Sequence, residues 1–514
     1  MTVSIAIVGT GYVGLVTGTC LAELGHDVVC VDNDAAKIDG LNAGRIPIYE
    51  PGLDDLVARN VKRGTLRFSV DLAASVAGRE AVFIAVGTPT SEGSDHANVD
   101  GVLGVAAAAA PHLTQFTVVV TKSTVPVGTN RRVQAIVDEH LPAGVAAAVA
   151  SNPEFLREGS AIEDFMHPDR VVFGSDSEAA REIMRRIYGP LEQRNHQIVE
   201  TEIETAEVIK YAANAFLAVK ISYINEVAEL CEAIGADVER VATGIGLDHR
   251  IGAAFLQAGP GWGGSCFPKD TRALRATAND HRVTLRVVDA AISANLERRD
   301  TIVRKVQTAC GGTLAGKRIA VLGLTFKGQT DDLRESPSVD VIRALVAEGA
   351  KVRAYDPSQP HDAAKLLPPG VGIATAPLGA VRGAEALLVL TEWKAFRDLD
   401  LEELASHMAD PVMVDLRNLF DEAQALRSGF RYYARIGRQA APFVPLARGH
   451  RRASLAAYTA IAAANDGTLR RVGDNSEAFE AAKAVATLNA TYDPAPVDAL
   501  VDDVRLTTAG HASL

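Results

Sequence analysis

The feature of this 514-residue sequence that most restricts its fold is a glycine pattern near the N-terminus. The apolar run from Ile5 to Gly9 is followed by Gly11 and Gly14, by a helical stretch that stops at Gly25, and by the apolar segment DVVCVD. A strand, a tight glycine turn, a helix and a second strand in this order predict a βαβ unit. In such a turn the backbone can approach a pyrophosphate at the positively polarised start of the helix.

Asp32 ends the second apolar segment. A carboxylate at this position can accept hydrogen bonds from both ribose hydroxyls and would repel a 2′-phosphate, which favours NAD over NADP. The alternative is a glycine-rich tight turn with an unrelated aspartate at a strand end. The βαβ context favours the dinucleotide site.

The pattern of apolar segments divides the chain into four regions. Residues 1–200 contain further strand-like segments, AVFIAVGTP and FTVVVTKSTVP, separated by Ala-rich helical stretches, and predict an open parallel sheet with helices on both faces. Residues 201–300 show helical periodicity with apolar positions on more than one face, which favours a central helical domain that also forms a dimer interface. An interdomain helix in a monomer is the alternative.

Residues 301–437 begin a second alternating series with KRIAVLGLTFKG, SPSVDVIRALVAEGA, KVRAYDP, ALLVLTEW and PVMVDLRN. Because GLTFKG replaces G-x-G-x-x-G, this region is expected to hold a different phosphate-bearing ligand. The predicted fold is therefore α/β, with two Rossmann-like doubly wound parallel-sheet domains joined by a central helical domain. Residues 438–514 form an Ala-rich extension of unknown role, whose composition fits a partly disordered tail with one helical stretch near SEAFEAAKAVATLNA.

Composition excludes several classes of protein. The sequence is 47% hydrophobic and 23% charged, as globular proteins are, and its net charge of −12 disfavours nucleic acid as a partner. No export signal and no long uninterrupted apolar stretch is found, so we expect a cytoplasmic protein without a membrane contact. The five cysteines lack metal-ligand spacing and predict free thiols and no metal site.

Two segments at strand ends, GTPT at 87–90 and STVPVGT at 123–129, lie where open α/β sheets bind ligands. Each by itself is more often an ordinary turn or a helix cap, so neither segment alone indicates a cofactor site.

One cysteine has an unusual setting. Cys266 lies in GPGWGGSCFPKD, where four glycines within six residues indicate that another group approaches the backbone closely. A thiol near Lys269 can be activated as a thiolate, whereas a structural cysteine normally lies in an apolar strand or helix. A passive loop cysteine remains an equal alternative on spacing alone.

A resemblance decides between these alternatives. The segments GTGYVG, NAGRIPIYEPGL, STVPVGT, NPEFLREG, EVIKYAANAF, GPGWGGSCFPKD and GLTFKG followed by RESPS resemble, in order and spacing, the UDP-glucose/GDP-mannose dehydrogenase family. The match covers about residues 1 to 435. It implies an NAD-dependent oxidoreductase that oxidises UDP-glucose twice to UDP-glucuronate, through a thiohemiacetal and a thioester on Cys266 that water hydrolyses.

Other functions stay open at this point. GDP-mannose would be oxidised by the same mechanism. A hydroxy-acid dehydrogenase performing one two-electron oxidation would not need Cys266. A catalytically silent sugar-nucleotide scaffold is disfavoured because the expected nucleophile is present.

The resemblance also implies residue roles. The catalytic set is Cys266, Lys210, Asn214, Asp270, Glu154 and Thr124. The cofactor set is Gly9, Gly11, Tyr12, Val13, Gly14, Asp32, Lys37, Thr88, Thr124, Glu158, Lys269 and Arg334. The substrate set is Glu154, Phe155, Leu156, Arg157, Lys210, Asn214, Arg250, Phe255, Leu256, Gly259, Gly263, Phe326, Lys327 and Arg417.

The sequence supports some of these roles independently. Lys210 and Asn214 are four residues apart and so share one face of a helix, and the resemblance implies that they steady an oxyanion. The apolar neighbours of Lys210 make a solvated surface position less favourable. Asp270 follows Cys266 by one turn if a helix starts at Pro268, and its implied role is to orient Lys210 or a water.

Two further implications concern the neighbours of the site. Arg250 resembles the residue that reaches the substrate of a neighbouring subunit, which implies a homodimer. Trp262 stands where the family usually has Phe or Tyr, and its extra bulk is expected to narrow the uracil pocket.

Overall fold

The computed structural model describes residues 2–360 and 362–440. The extension from residue 441, with the helical stretch expected near SEAFEAAKAVATLNA, lies outside the described residues.

The N-terminal sheet has eight strands in the order β3-β2-β1-β4-β5-β6-β7-β8. The strands are β1 Ser4–Val8, β2 Asp27–Val31, β3 Leu66–Ser69, β4 Ala81–Ile84, β5 Thr117–Thr121, β6 Ala147–Ser151, β7 Arg170–Gly174 and β8 Gln197–Thr201. Neighbouring strands are parallel except β6 and β7, which meet in an antiparallel pairing of Ser151 with Gly174. The predicted open parallel sheet is therefore confirmed, with this one antiparallel pairing as its exception.

Helices cover both faces of this sheet. They are α1 Tyr12–Glu23, α2 Ala35–Asn42, α3 Leu53–Arg63, α4 Leu72–Val76, α5 Asp100–Ala109, α6 Thr129–His140, α7 Ala161–Met166 and α8 Glu178–Glu192, with a 3-10 turn at Ala110–His112. Alternate residues of β1 point to opposite faces, so Ile5 and Ile7 join one apolar cluster while Ala6 and Val8 join another. Burial on both faces explains why the strands are continuously apolar.

Four helices form the centre of the chain: α9 Ile203–Ile234, α10 Val238–Gly246, α11 Phe267–Asp280 and α12 Arg286–Ala309. The 32-residue α9 ends at Gly235, whose φ of 75° is the left-handed conformation common after helices. Its length lets one element reach from the site to the third domain.

The third region has six parallel strands in the order β11-β10-β9-β12-β13-β14. They are β9 Arg318–Leu322, β10 Lys351–Tyr355, β11 Gly372–Ile373, β12 Ala386–Val389, β13 Val412–Asp415 and β14 Tyr432–Arg435. The helices are α13 Pro337–Ala347, α14 Ala363–Leu366, α15 Pro377–Val381, α16 Lys394–Arg397, α17 Leu401–His407 and α18 Glu422–Arg427. Two Rossmann-like domains joined by helices confirm the predicted fold class.

Candidate active site

The glycine turn after β1 has the geometry that a dinucleotide requires. A Cβ at Gly14 would lie 1.9 Å from the carbonyl oxygen of Gly9, so α1 can start this close to the turn only with glycine. Among the described residues, none beyond the chain neighbours of Gly11 has an atom within 4 Å of the corresponding position there, so the backbone is open to a ligand. The turn leads directly into the N-terminus of α1.

Asp32 lies beside this turn. Its Oδ2 accepts from the N–H of Thr10 at 2.8 Å, from the Thr10 hydroxyl at 2.7 Å and from Lys37 Nζ at 3.0 Å. Partial burial alone would raise the pKa of Asp32, but these hydrogen bonds, with one from the N–H of Asp34, lower it to about 2. The carboxylate is therefore charged and fixed in place at neutral pH.

A cavity of about 530 Å³ opens between the turn and the ends of β2 and β4. Its lining is mostly small or apolar, with Asp32 and Lys37 as its charged groups: Val8, Gly9, Gly11, Val31, Asp32, Asn33, Lys37, Val70, Leu72, Ala85, Val86, Gly87, Gly101, Gly104, Val105 and Ala108. Nearby, the Thr88 hydroxyl donates to the carbonyl of Thr124 at 2.8 Å, which joins the two strand-end segments. An open turn, a ribose acceptor and an apolar cleft fit NAD.

The cysteine loop is held between the central helices and the third domain. Cys266 is the N-cap residue of α11, and the residue as a whole is exposed although its thiol lies in a cleft that desolvates it. A Cβ at Gly264 would lie 2.9 Å from the ring of Phe326, and the Gly264 N–H donates to the carbonyl of Arg334 at 3.0 Å. The close approach that the glycine run predicts is thus made by the third domain.

Two side chains of α9, Lys210 and Asn214, each form a buried pair near this loop. Lys210 Nζ donates to Glu154 Oε1 at 3.1 Å, and Asn214 Nδ2 donates to Asp270 Oδ2 at 2.6 Å. All four residues are less than 7% exposed, so the prediction that Lys210 is not a surface lysine is confirmed. Asp270 contacts Asn214 directly, whereas the direct partner of Lys210 is Glu154, which refines the expectation that Asp270 orients Lys210.

Lys210 is the cation with the largest electrostatic effect on the thiol, although Lys327 and Arg334 also interact with it. Burial works against its charge, but Glu154, Cys266 and Asp270 outweigh this and raise the pKa of Lys210. Desolvation in the cleft raises the pKa of the Cys266 thiol, while Lys210 acts to lower it. The expected activator, Lys269, is engaged elsewhere, since its Nζ pairs with Asp270 Oδ1 at 2.5 Å.

The segment from Phe155 to Glu158 lies at the junction of the domains. Lys210 Nζ is 5.2 Å from the ring centroid of Phe155, and the N–H of Leu156 donates to Glu154 Oε2 at 2.5 Å. The Arg157 side chain is exposed and pairs with Asp164.

Glu158 crosses to the third domain. Its Oε2 accepts from the Thr330 hydroxyl at 2.9 Å, and Arg334 Nη2 is 3.5 Å from its Oε1. Burial, reinforced by the charge of Asp332, raises the pKa of Glu158 to about 7.

The segment from Phe255 to Gly259 is fixed by the helices. The N–H of Gly259 donates to Asn225 Oδ1 at 2.8 Å, and its carbonyl accepts from Arg298 Nε at 3.1 Å. A Cβ at Gly259 would lie 2.9 Å from Arg417 Nη1, so the third domain's guanidinium reaches this segment. Leu256 is buried against the helical core.

Two of the cations expected at the substrate, Lys327 and Arg417, lie in the third domain. Arg417 donates to the carbonyls of Leu390 at 2.9 Å and Phe326 at 3.1 Å. Lys327 Nζ is 5.4 Å from the Phe326 ring, and burial lowers the pKa of this lysine. Neither is the freely solvated surface charge that an unaided interpretation of the sequence would suggest.

Two residues take positions that the sequence leaves undefined. Arg250 is exposed and pairs with Asp248. Trp262 is 6% exposed, packs against Ala218 and Ile292, and donates from Nε1 to the Ser222 hydroxyl at 2.9 Å. Its extra bulk therefore fills the helical core, which differs from the expected narrowing of a uracil pocket.

Sequence reasoning missed a buried network behind Glu154. Asn152 Oδ1 accepts from Lys122 Nζ at 3.1 Å and from the Tyr188 hydroxyl at 2.5 Å. Burial lowers the pKa of Lys122 to about 7. A lysine in the apolar strand-end segment VVVTKST was the available signal. Within residues 2–360 and 362–440, no group of three or more His, Cys, Asp or Glu side chains is arranged to hold a metal ion.

The dinucleotide turn, the acidic ribose acceptor and the thiol between two Rossmann-like domains define the class of an NAD-dependent dehydrogenase. Comparison with known proteins gives the family. Residues 3–192, 204–297 and 320–422 match, respectively, the NAD binding, central and UDP binding domains of the UDP-glucose/GDP-mannose dehydrogenase family. The chain belongs to this family.

Individual relatives are similar over almost their whole length. A UDP-glucose 6-dehydrogenase of Rhizobium meliloti (strain 1021) is 53% identical over 436 residues, which are 84% of this chain and 99% of the relative. A UDP-glucose 6-dehydrogenase of Pseudomonas aeruginosa is 42% identical over 460 residues, which are 88% of this chain and 100% of the relative. The solved UDP-glucose dehydrogenase of Pyrobaculum islandicum is 37% identical with a TM-score of 0.77, covering 84% of this chain and 97% of that one. Within the described residues, no helix is long and apolar enough to cross a membrane.

Proposed function

We propose that this enzyme oxidises UDP-glucose to UDP-glucuronate with two NAD per sugar, through a thioester on Cys266. The observation that carries the proposal is the closeness of Cys266 to the buried Lys210–Glu154 pair, whose Nζ–Oε1 distance is 3.1 Å and whose ammonium acts to lower the pKa of the thiol. Both lie between the domain that matches NAD binding and the domain that matches UDP binding. The relatives named UDP-glucose 6-dehydrogenase support the choice of sugar nucleotide.

The reaction needs a base and an oxyanion site. Glu154 takes the C6 hydroxyl proton, directly or through a water that Thr124 positions, and its Oε1 lies beside the Lys210 ammonium. The raised pKa of Lys210 keeps that ammonium charged, so with Asn214 it stabilises the oxygen of the aldehyde and of the later adducts. Asp270 orients Asn214.

Bound NAD supplies the hydride acceptor for each oxidation. In the first step the C6 alcohol loses a hydride and a proton and becomes an aldehyde. The Cys266 sulfur then bonds to C6 and the carbonyl oxygen takes a proton, giving a thiohemiacetal. Loss of a second hydride from C6 and of the hydroxyl proton leaves a thioester. Water attacks it, the C–S bond breaks, and the acid and the thiol are released.

We propose that the remaining residues act in two groups. The dinucleotide contacts come from the β1 turn, Asp32, the Thr88–Thr124 pair and the junction residues Glu158, Lys269 and Arg334. The sugar nucleotide contacts come from residues 154–157, residues 255–263 and the third domain's Phe326, Lys327 and Arg417. Residues 1–200, 201–300 and 301–437 then act as NAD-binding, helical dimerisation and UDP-sugar-binding domains.

We also propose a homodimer. Five large apolar side chains of α9 are exposed: Val208 at 41%, Phe216 at 64%, Tyr223 at 54%, Leu230 at 57% and Ile234 at 66%. On α12, Val287 and Leu296 are exposed by 66% and 69%. A second copy would cover these patches, and the exposed Arg250 would reach the partner's substrate. Light scattering should give twice the mass of one chain, and a monomer in the parent protein would exclude this proposal.

The enzyme is proposed to act in the cytoplasm. The five cysteines Cys20, Cys30, Cys231, Cys266 and Cys310 are all unpaired, as is usual in a reducing compartment. NAD and nucleotide sugars are also intracellular metabolites.

Substrate identity is tested by incubating the purified full chain with NAD and either UDP-glucose or GDP-mannose, then identifying the product by mass spectrometry. We expect UDP-glucuronate from the first and no acid from the second. Turnover of GDP-mannose alone would keep the mechanism and overturn the substrate. No turnover of either would overturn the proposed activity.

A further inference from the structure

Glu50 lies in the segment NAGRIPIYEPGL, to which none of the proposed roles belongs. Its side chain is 7% exposed. Oε2 accepts from the N–H of Gly159 at 2.7 Å, and Oε1 accepts from the N–H of Ala161 at 2.8 Å. A buried carboxylate bonded to backbone N–H groups fixes the backbone that it contacts.

The same carboxylate is in contact with the dinucleotide turn. Tyr12, the first residue of α1, donates its hydroxyl to Glu50 Oε2 in a short hydrogen bond. The Tyr12 oxygen also accepts from the N–H of Gly159 at 2.9 Å. Burial raises the pKa of Tyr12, and the negative charge of Glu50 adds to this, so the phenol keeps its proton and its role as donor.

Gly159 lies near the C-terminal end of the segment that carries the proposed base, Glu154. We call residues 152–161 the base loop. Its first residue, Asn152, is held by Lys122 and Tyr188, and its last residues are held by Glu50. Between these two anchors Glu154 contacts Lys210 and Glu158 contacts the third domain. A displacement of Glu50 would therefore shift both the proposed base Glu154 and the contact that Glu158 makes with the third domain.

We propose that Glu50 is a positioning residue that couples binding at the dinucleotide turn to the conformation of the base loop. Tyr12 follows Gly11, where the backbone is open to a ligand, so a dinucleotide bound there restrains Tyr12 and, through Glu50, the N–H groups of Gly159 and Ala161. The catalytic consequence rests on the proposed function, because it assumes that Glu154 is the base. The coupling itself requires only that the chain binds the dinucleotide.

The coupling is tested with NADH alone, by amide hydrogen exchange of the full chain followed by mass spectrometry. Glu50→Gln keeps the side-chain size but turns one acceptor oxygen into an NH₂ group that faces an N–H. Tyr12→Phe removes only the hydroxyl. Glu23→Gln is the control, because Glu23 also accepts several hydrogen bonds, from Arg59, Asn60 and Arg63, but its donors lie on α3.

In the parent and in Glu23→Gln, saturating NADH should slow exchange in the base loop by about tenfold, a typical coupling between two sites. In Glu50→Gln this protection should be lost while residues 9–16 stay protected, and Tyr12→Phe should weaken it. Equal loop protection in Glu50→Gln and the parent, or a parent loop that does not respond to NADH, would overturn the proposal. If Glu50→Gln does not fold, Tyr12→Phe decides on the same criterion.

A kinetic measurement separates coupling from simple stability. Glu50→Gln should lower kcat for sugar oxidation at saturating substrates by about tenfold or more, because a loosely held base is misplaced even in the bound complex. An unchanged kcat would contradict the positioning role. Failure of the proposed function is recognised independently, as parent protein that shows NADH-dependent loop protection but forms no UDP-glucuronate.

Discussion

The N-terminal sheet and the sheet of the third domain have the same strand order. It is β3-β2-β1-β4-β5-β6 in the first and β11-β10-β9-β12-β13-β14 in the second. In each, the glycine after the first strand donates its N–H to the end of the second: Gly9 to Val31 at 2.7 Å, and Gly323 to Tyr355 at 2.8 Å. Each second strand is followed by an aspartate, Asp32 or Asp356.

The two aspartates are used differently. Asp32 lines a cavity of about 530 Å³. Asp356 is 1% exposed, and its Oδ2 accepts from the Leu324 N–H at 2.7 Å and from Trp393 Nε1 at 3.3 Å. After β4 the N-terminal domain has Ala85-Val86-Gly87-Thr88, whereas after β12 the third domain has Leu390-Thr391-Glu392-Trp393. One backbone frame therefore leaves room for a cofactor where its loop is small and fills the same place with its own tryptophan where the loop is bulky.

Asp356→Ala should produce the largest effect on stability. It leaves buried N–H groups of Leu324 and Trp393 without an acceptor, and we expect a loss of about 3 kcal/mol in the free energy of unfolding of the third domain. Chemical denaturation followed by tryptophan fluorescence measures it. A protein as stable as the parent would show that the third-domain aspartate is not structural.

Asp32→Ala should instead affect cofactor binding. Loss of a charged acceptor for the ribose should raise the Kd for NAD by about 10- to 100-fold. Calorimetric titration with NAD measures this, with Asp356→Asn, which removes the charge of the corresponding aspartate at nearly unchanged size, as the control. If the Asp356 variant loses NAD affinity and the Asp32 variant does not, the proposed division of roles is reversed.

Arg417→Gln tests whether the third domain binds the sugar nucleotide and not NAD. It removes a guanidinium that reaches Gly259, so the KM for UDP-glucose should rise about tenfold while the KM for NAD is unchanged. Arg427→Gln, on the exposed face of α18 in the same domain, is the control. A rise in the KM for NAD would indicate that Arg417 does not serve the sugar nucleotide alone.

The smallest expected effect concerns the contact between the two domains. The pKa of Glu158 is raised to about 7, so the folded protein holds this proton more tightly than the unfolded chain does. The stabilisation is complete below the ordinary glutamate pKa of about 4.3 and is lost as the pH rises through about 7. Relative to the parent, Glu158→Gln should gain about 2–4 °C in Tm between about pH 4.5 and 8. A difference in Tm between the variant and the parent that does not change with pH would contradict this.

Patterns local in sequence predicted most of the fold. Apolar runs separated by glycine turns defined β1, α1 and β2, and the spacing of Lys210 and Asn214 placed both on one helix face. The chemistry of the site depended on partners far apart in sequence. Glu50 and Gly159 are 109 residues apart, and nothing near Glu50 indicates that pairing. Lys269 was expected to activate Cys266 because it is a close neighbour in sequence, yet tertiary packing brings Lys210 to the thiol and turns Lys269 to Asp270.

Cys266 is proposed to hold the intermediate that undergoes the second oxidation. The measurement that tests this role is the number of NADH formed per UDP-glucose consumed. We expect about two for the parent protein, and for Cys266→Ser no formation of UDP-glucuronate, because the serine hydroxyl is a far weaker nucleophile than a thiol. A Cys266→Ser protein that still yields two NADH and the acid at the parent's rate would contradict the thioester route.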